Sequence, residues 1–187
     1  MPTRKMSVRG KAVRRISMTA IATLLALGCG VASAETPNLG VPIDPADIAP
    51  WDISIGPDGV GLPTGSGTPA EGAAIYAAKC TGCHAPDGTS PFAARLWGGG
   101  EITDITAQMK TIKNFWPYST TVFDFIRRAM PWTQPRSLTD NEVYALTAFI
   151  LAKNNLIAED ATMNAQTLPK VRMPNVDNFI TRFPDRI

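Results

Sequence analysis

A single histidine, His84, serves all 187 residues, and only three cysteines accompany it. Those shortages exclude much. A zinc site needs three or four ligands from cysteine, histidine and carboxylate, and beyond Cys80, Cys83 and His84 the chain holds no second cysteine or histidine pair to complete one. A disulfide framework needs several spaced cysteines, and the third, Cys29, lies in an apolar leader. The longest apolar run, Ile16 to Val31, falls short of the ~20 residues of a membrane-spanning helix.

Acidic residues are missing altogether from the first 34 positions, which carry Arg4, Lys5, Arg9, Lys11, Arg14 and Arg15. A basic start, an apolar stretch and the small-residue pattern Ala32-Ser33-Ala34 make residues 1–34 a secretory signal peptide, cleaved after Ala34. Ala26-Leu27-Gly28 before Cys29 fits a lipidation motif poorly. Export to the periplasm, with no membrane span left after cleavage, is the expectation. Losing six of the 18 basic residues leaves 12 against 16 acidic ones, so the apparent net charge of +2 becomes −4. The basic character belongs to the leader, and nucleic-acid binding has no support.

What the chain does have is the run Lys79-Cys80-Thr81-Gly82-Cys83-His84. Two cysteines separated by two residues and followed at once by histidine form the attachment signature of a c-type haem. Each thiol adds to one vinyl group of the porphyrin, one helical turn sets the sulfurs apart by the vinyl spacing, and His84 points at the iron. Small Thr81 and Gly82 leave room for the macrocycle. A thioredoxin-like pair needs a strand before it and a helix after it; here a helix precedes and a glycine-rich loop follows. One covalently attached haem c is expected.

A lone histidine makes bis-histidine ligation impossible. The sixth position falls to methionine, lysine, a weaker donor or nothing. The mature candidates are Met109, Met130, Met163 and Met173. Met130 is preferred, because Pro131 ends the preceding helix and fixes a bend that can present the thioether. Met173 also precedes a proline but follows the last predictable helix, Met109 lies in what reads equally as core helix, and methionine is by default a core residue. Histidine–methionine ligation raises the reduction potential and suits electron transfer. Pro91 or a nearby carbonyl is expected to accept the His84 ring N–H, and Arg95, Trp97, Trp116, Tyr118 and Trp132 are candidates to meet the haem propionates.

Residues 35–67 hold prolines at 37, 42, 45, 50, 57 and 63 and read as an extended arm. Thr68-Pro69-Ala70-Glu71 is a capping box with proline at the first helical position, opening a helix through Cys80. Gly72 in its interior costs stability unless another backbone passes close. Ser119 or Thr120 is expected to cap a short helix whose Val122, Phe123, Phe125 and Ile126 line the haem, with Arg127 and Arg128 in its last turn. Thr139 to Glu142 is a second capping box, starting a helix to Lys153. Crossing helices near Gly72 and Tyr144, bracketing ligand loops, give the all-α class I cytochrome c fold over residues 68–153. Residues 154–187 read as a C-terminal extension wrapping the domain or a partner.

The stretch Trp116-Pro117-Tyr118-Ser119-Thr120-Thr121-Val122-Phe123-Asp124-Phe125-Ile126-Arg127-Arg128-Ala129-Met130-Pro131 resembles the cytochrome subunits of periplasmic sulfite and sulfane dehydrogenases. Gly59-Val60-Gly61-Leu62-Pro63, Ser137-Leu138-Thr139 with Glu142 to Ala148, and Leu168 to Asn175 are similar too, so the resemblance spans most of residues 55–180. It implies the class I fold, His84 and Met130 as axial ligands, and electrons accepted from a molybdenum-containing sulfite or sulfane dehydrogenase catalytic subunit for a downstream periplasmic or membrane cytochrome. Two departures stand out. The sulfane type carries two haem domains where one attachment motif stands here, and Ala85 occupies a position where glycine is expected.

Overall fold

Gly72 decides how the two principal helices meet. The computed structural model describes residues 39–106 and 108–180, so the expected signal peptide lies outside the described residues. The chain divides into two units, 1–44 and 45–187. In the first, the described residues 39–44 form no helix or strand and are exposed; all that follows concerns the second.

Its elements are α1 (Pro45–Ile48), β1 (Ser66–Gly67), α2 (Pro69–Lys79), α3 (Thr81–His84), α4 (Ile112–Phe115), α5 (Ser119–Ala129), α6 (Asp140–Lys153) and β2 (Met163–Asn164), then two 3-10 turns, Leu168–Lys170 and Val176–Asn178. Among the described residues the fold is mostly helical, as the class I cytochrome c expectation requires, with a sheet of only two short antiparallel strands, Ser66 opposite Asn164 and Gly67 opposite Met163. One turn of helix, α1, interrupts the proline-rich arm; Pro45 opens it, where a missing N–H goes unnoticed.

Both expected capping boxes form. Thr68 accepts from the Glu71 N–H while Glu71 reaches back to the Thr68 N–H, and Thr139 and Glu142 repeat the exchange. Between these starts, α2 packs chiefly on α6. A Cβ on Gly72 would stand 2.0 Å from the Ala145 carbonyl oxygen, and one on Gly67 2.2 Å from the Ala145 N–H nitrogen. Backbones therefore touch at Ala145, one residue beyond the Tyr144 expected from sequence. Nearly all of α6 is buried, from Val143 to Ala152.

Helix α5 starts without the expected side-chain cap. Tyr118 is its N-cap, and Ser119 instead donates to the Leu168 carbonyl at 2.7 Å, tying α5 to the C-terminal extension. That extension contributes Met163, Leu168 and Met173 to the core.

Candidate cofactor site

The end of α2 presents the attachment motif. Cys80 caps α2 with its N–H bonded to the Tyr76 carbonyl, and the chain turns at once into α3, whose four residues are Thr81, Gly82, Cys83 and His84. The two thiols are not joined to each other, Cys80 half-buried and Cys83 exposed. Burial is the main reason the Cys80 thiol is pushed up to about 11, the opposite of the lowered value that makes a redox-active cysteine reactive.

His84 is oriented from two directions. Its Nδ1 lies 3.3 Å from the Ala94 carbonyl, which accepts the ring N–H and leaves Nε2 to face outward from that contact. Burial lowers the imidazole pKa, with the Ala94 contact acting the other way, so the balance favours the neutral ring, the form a metal ligand takes. Behind it, the Tyr76 hydroxyl donates to the Ala85 carbonyl at 2.7 Å, and the Tyr76 ring packs against Trp97 and Phe149 with centroids 5.5 and 5.1 Å away. Ala85 itself is left-handed, φ 59° and ψ 163°, a backbone region that favours glycine.

These residues open onto a cavity of about 540 Å³, within the range of small-molecule and cofactor pockets. Its floor is apolar, formed by Ile112, Val122, Ile126, Leu138, Leu146 and Ile150, and Met130 stands on the same wall set as Cys80, Cys83 and His84. The other described methionines are elsewhere. Met163 and Met173 are buried in the core, and Met109 is exposed outside any helix, against the core-helix reading of its segment. Met130 follows α5 in extended backbone, φ −115° and ψ 144°, as the residue before proline prefers.

The aromatic and charged candidates separate in the same way. Trp116, Trp132 and Arg95 lie on the cavity wall; Trp97 is committed to Tyr76 and Phe149, and the Tyr118 backbone pairs with Arg172. Phe123 also leaves the wall, stacking on Tyr144 at 4.4 Å, whereas Phe125 stays on it. Among the described residues the charged ones on the wall are Lys79, Arg95 and Lys110, with no carboxylate. Lys79 is neutralised by Glu142 at 2.6 Å. Lys110 was not legible from its neighbours in sequence; Leu146 and Ile150 were not read as wall residues either, though their spacing of four on one helix face is the signal that could have found them.

A family model described as Cytochrome c matches residues 69–153. A chain of the crystal structure of the sulfane dehydrogenase SoxCD from Paracoccus pantotrophus is 36% identical, with a TM-score of 0.70, over 80% of this chain and 73% of that one. The chain belongs to the c-type cytochrome family. No curated protein matches it at comparable strength. The cytochrome's cofactor is covalently bound haem c, and its role is electron transfer. The site fits that group: an apolar cavity, two thiols one helical turn apart, an imidazole fixed by a backbone carbonyl, and cations where acidic groups of a cofactor would need partners. Among the described residues no helix is long and apolar enough to cross a membrane.

Proposed function

We propose that this cytochrome is a periplasmic one-haem carrier. It accepts single electrons from a molybdenum-containing sulfite or sulfane dehydrogenase and passes them to a downstream periplasmic or membrane cytochrome. The observation that carries the reading is the convergence of Cys80, Cys83, His84 and Met130 on one apolar cavity. Bound haem supplies an iron that cycles between ferric and ferrous states. Cys80 and Cys83 hold the macrocycle through thioethers. His84, fixed by the Ala94 carbonyl, and Met130 would hold the iron. With both residues on the iron, no site would be left for a reactant, so substrate chemistry would belong to the partner. Arg95 and Lys110 suit the propionates. The likeness to a sulfane dehydrogenase chain supports the choice of partner.

The test has two arms. Met130→Ala should lose the far-red thioether charge-transfer band and bind carbon monoxide when reduced, while the parent binds none. A parent that takes up carbon monoxide readily would overturn the six-coordinate reading. Purified from native periplasm with its associated proteins, the cytochrome should be reduced on adding sulfite or a sulfane-sulfur donor. Reduction only by an unrelated substrate would make it the carrier of another dehydrogenase.

A further inference from the structure

Two arginines end α5 just before Met130, and they reach in opposite directions. Arg127 Nε donates to Asp140 Oδ1 at 3.1 Å, joining the end of α5 to the start of α6 across the Met130 loop. Arg128 Nε donates to Asp124 Oδ1 at 2.8 Å, one turn back, and its Nη2 donates to the Ile53 carbonyl at 3.0 Å. Ile53 begins a segment, 53–63, that turns back on itself, with the Gly56 N–H bonded to the Val60 carbonyl at 2.8 Å and the Leu62 N–H to the Gly59 carbonyl at 3.1 Å. It sits against the C-terminal extension so closely that a Cβ on Gly59 would stand 2.4 Å from Pro169. Its far end is held by the Tyr144 hydroxyl, which donates to the Pro63 carbonyl at 2.8 Å. Ile55 and Leu62 pack on the core. The segment thus spans from the last turn of α5 to α6, the two helices that flank Met130.

A guanidinium presents its donors in a planar fork, so two partners held at once define its position where one would not. Arg128 does not line the cavity; whatever it does to the site passes through the backbone. We propose that Arg128 is a positioning residue for the Met130 thioether: by gripping Asp124 and the Ile53 carbonyl together it fixes the last turn of α5 and so where the sulfur stands. The proposal rests on the reading of Met130 as the distal ligand.

The experiment is an imidazole titration of the ferric, haem-loaded full chain, with the far-red thioether band as second readout. Arg128→Ala should bind imidazole about tenfold more tightly, the size expected when a charge-assisted hydrogen bond that restrains a competing ligand is lost, and its far-red band should weaken. The midpoint potential does not discriminate, since removing a positive charge lowers it in any case. Arg128→Lys keeps the charge but gathers its donors on one nitrogen in place of the planar fork, and should fall between parent and alanine variant. If Arg128→Ala takes up no haem, the lysine variant carries the same comparison. An affinity within about twofold of the parent alongside a lowered melting temperature would make Arg128 merely structural and overturn the proposal. So would a lysine variant indistinguishable from the parent beside a shifted alanine variant, which would assign the effect to charge. A parent without the far-red band, matched by Met130→Ala in imidazole affinity, removes the ligand reading itself and the proposal with it.

Discussion

Where α2 crosses α6 the contact is backbone on backbone at Gly72 and Ala145, sealed by Tyr76, Phe149 and a helix whose residues 143–152 are all buried. The loop between Ala85 and Lys110 is built otherwise. Among its described residues only Gly88 is fully buried, and its shape is kept by polar side chains reaching its carbonyls and amides. Thr111 Oγ1 donates to the Gly98 carbonyl at 2.7 Å, Asn114 Nδ2 to those of Gly100 and Met109 at 3.1 and 3.0 Å, and Asn154 joins the Gly98 N–H and the Leu96 carbonyl, both at 3.2 Å. The crossing has its own core. The loop reaches that core through Leu96 and Trp97, while the apolar wall beside it, Ile112, Leu146 and Ile150, lines the cavity, where bound haem would supply the burial that side chains supply elsewhere.

The largest effect that could break this contrast is at the crossing. A Cβ at Gly72 would meet the Ala145 carbonyl oxygen at 2.0 Å and carbon at 2.6 Å, both backbone atoms that cannot swing aside. Alanine's better helix propensity, about 1 kcal/mol, does not offset such overpacking. Gly72→Ala should lower the urea unfolding free energy of the haem-loaded protein by roughly 3 kcal/mol. A variant as stable as the parent would show that the helices can move apart and that the crossing is no tighter than the loop.

The crossing was also the more legible region. Capping boxes, a proline at the first helical position and an interior glycine are local signals, and local signals survive in a single sequence. The attachment motif was legible for the same reason, and the place of Met130 on the cavity wall by subtraction aided by Pro131. What escaped depended on distant partners. Ser119 looks like a helix cap and instead bonds Leu168, 49 residues on; Phe123 and Phe125 both look like wall residues, and Tyr144 claims only the first. Trp97 reads as a propionate partner yet packs with Tyr76 and Phe149. No pattern within a few residues encodes such choices.

In the loop, the effect should run the other way. Ala85 holds φ 59° and ψ 163°, where a side chain costs of order 1–3 kcal/mol. Glycine removes that strain while adding about 0.4–1 kcal/mol of unfolded-chain entropy to be lost. Ala85→Gly should therefore stabilise the protein by about 1 kcal/mol, read as a raised melting temperature, with the His84 ligation spectrum unchanged. A destabilised variant would mean that the strain is relieved elsewhere and that the loop is not held against its own preference.

The smallest effect tests the electrostatic clasp at the rim of the crossing, Lys79 to Glu142 at 2.6 Å. The Lys79 ammonium, then the Thr139 N–H, hold the Glu142 carboxyl below its ordinary value of 4.5. A folded-state pKa that is depressed contributes stability above the unfolded value and loses it as the pH falls through the folded one. Glu142→Gln keeps a capping side chain at the third helical position and removes only the charge. With Lys79 40% exposed, screening limits the pair to about 0.5 kcal/mol. Parent and variant should differ by that much at neutral pH, begin to converge in unfolding free energy as the pH falls below 4.5 and meet once it has passed the depressed folded-state value, and added salt at neutral pH should narrow the gap in the same way. A difference that persists in acid would be a capping difference, and would make the crossing's rim depend on hydrogen-bond geometry, as the loop does.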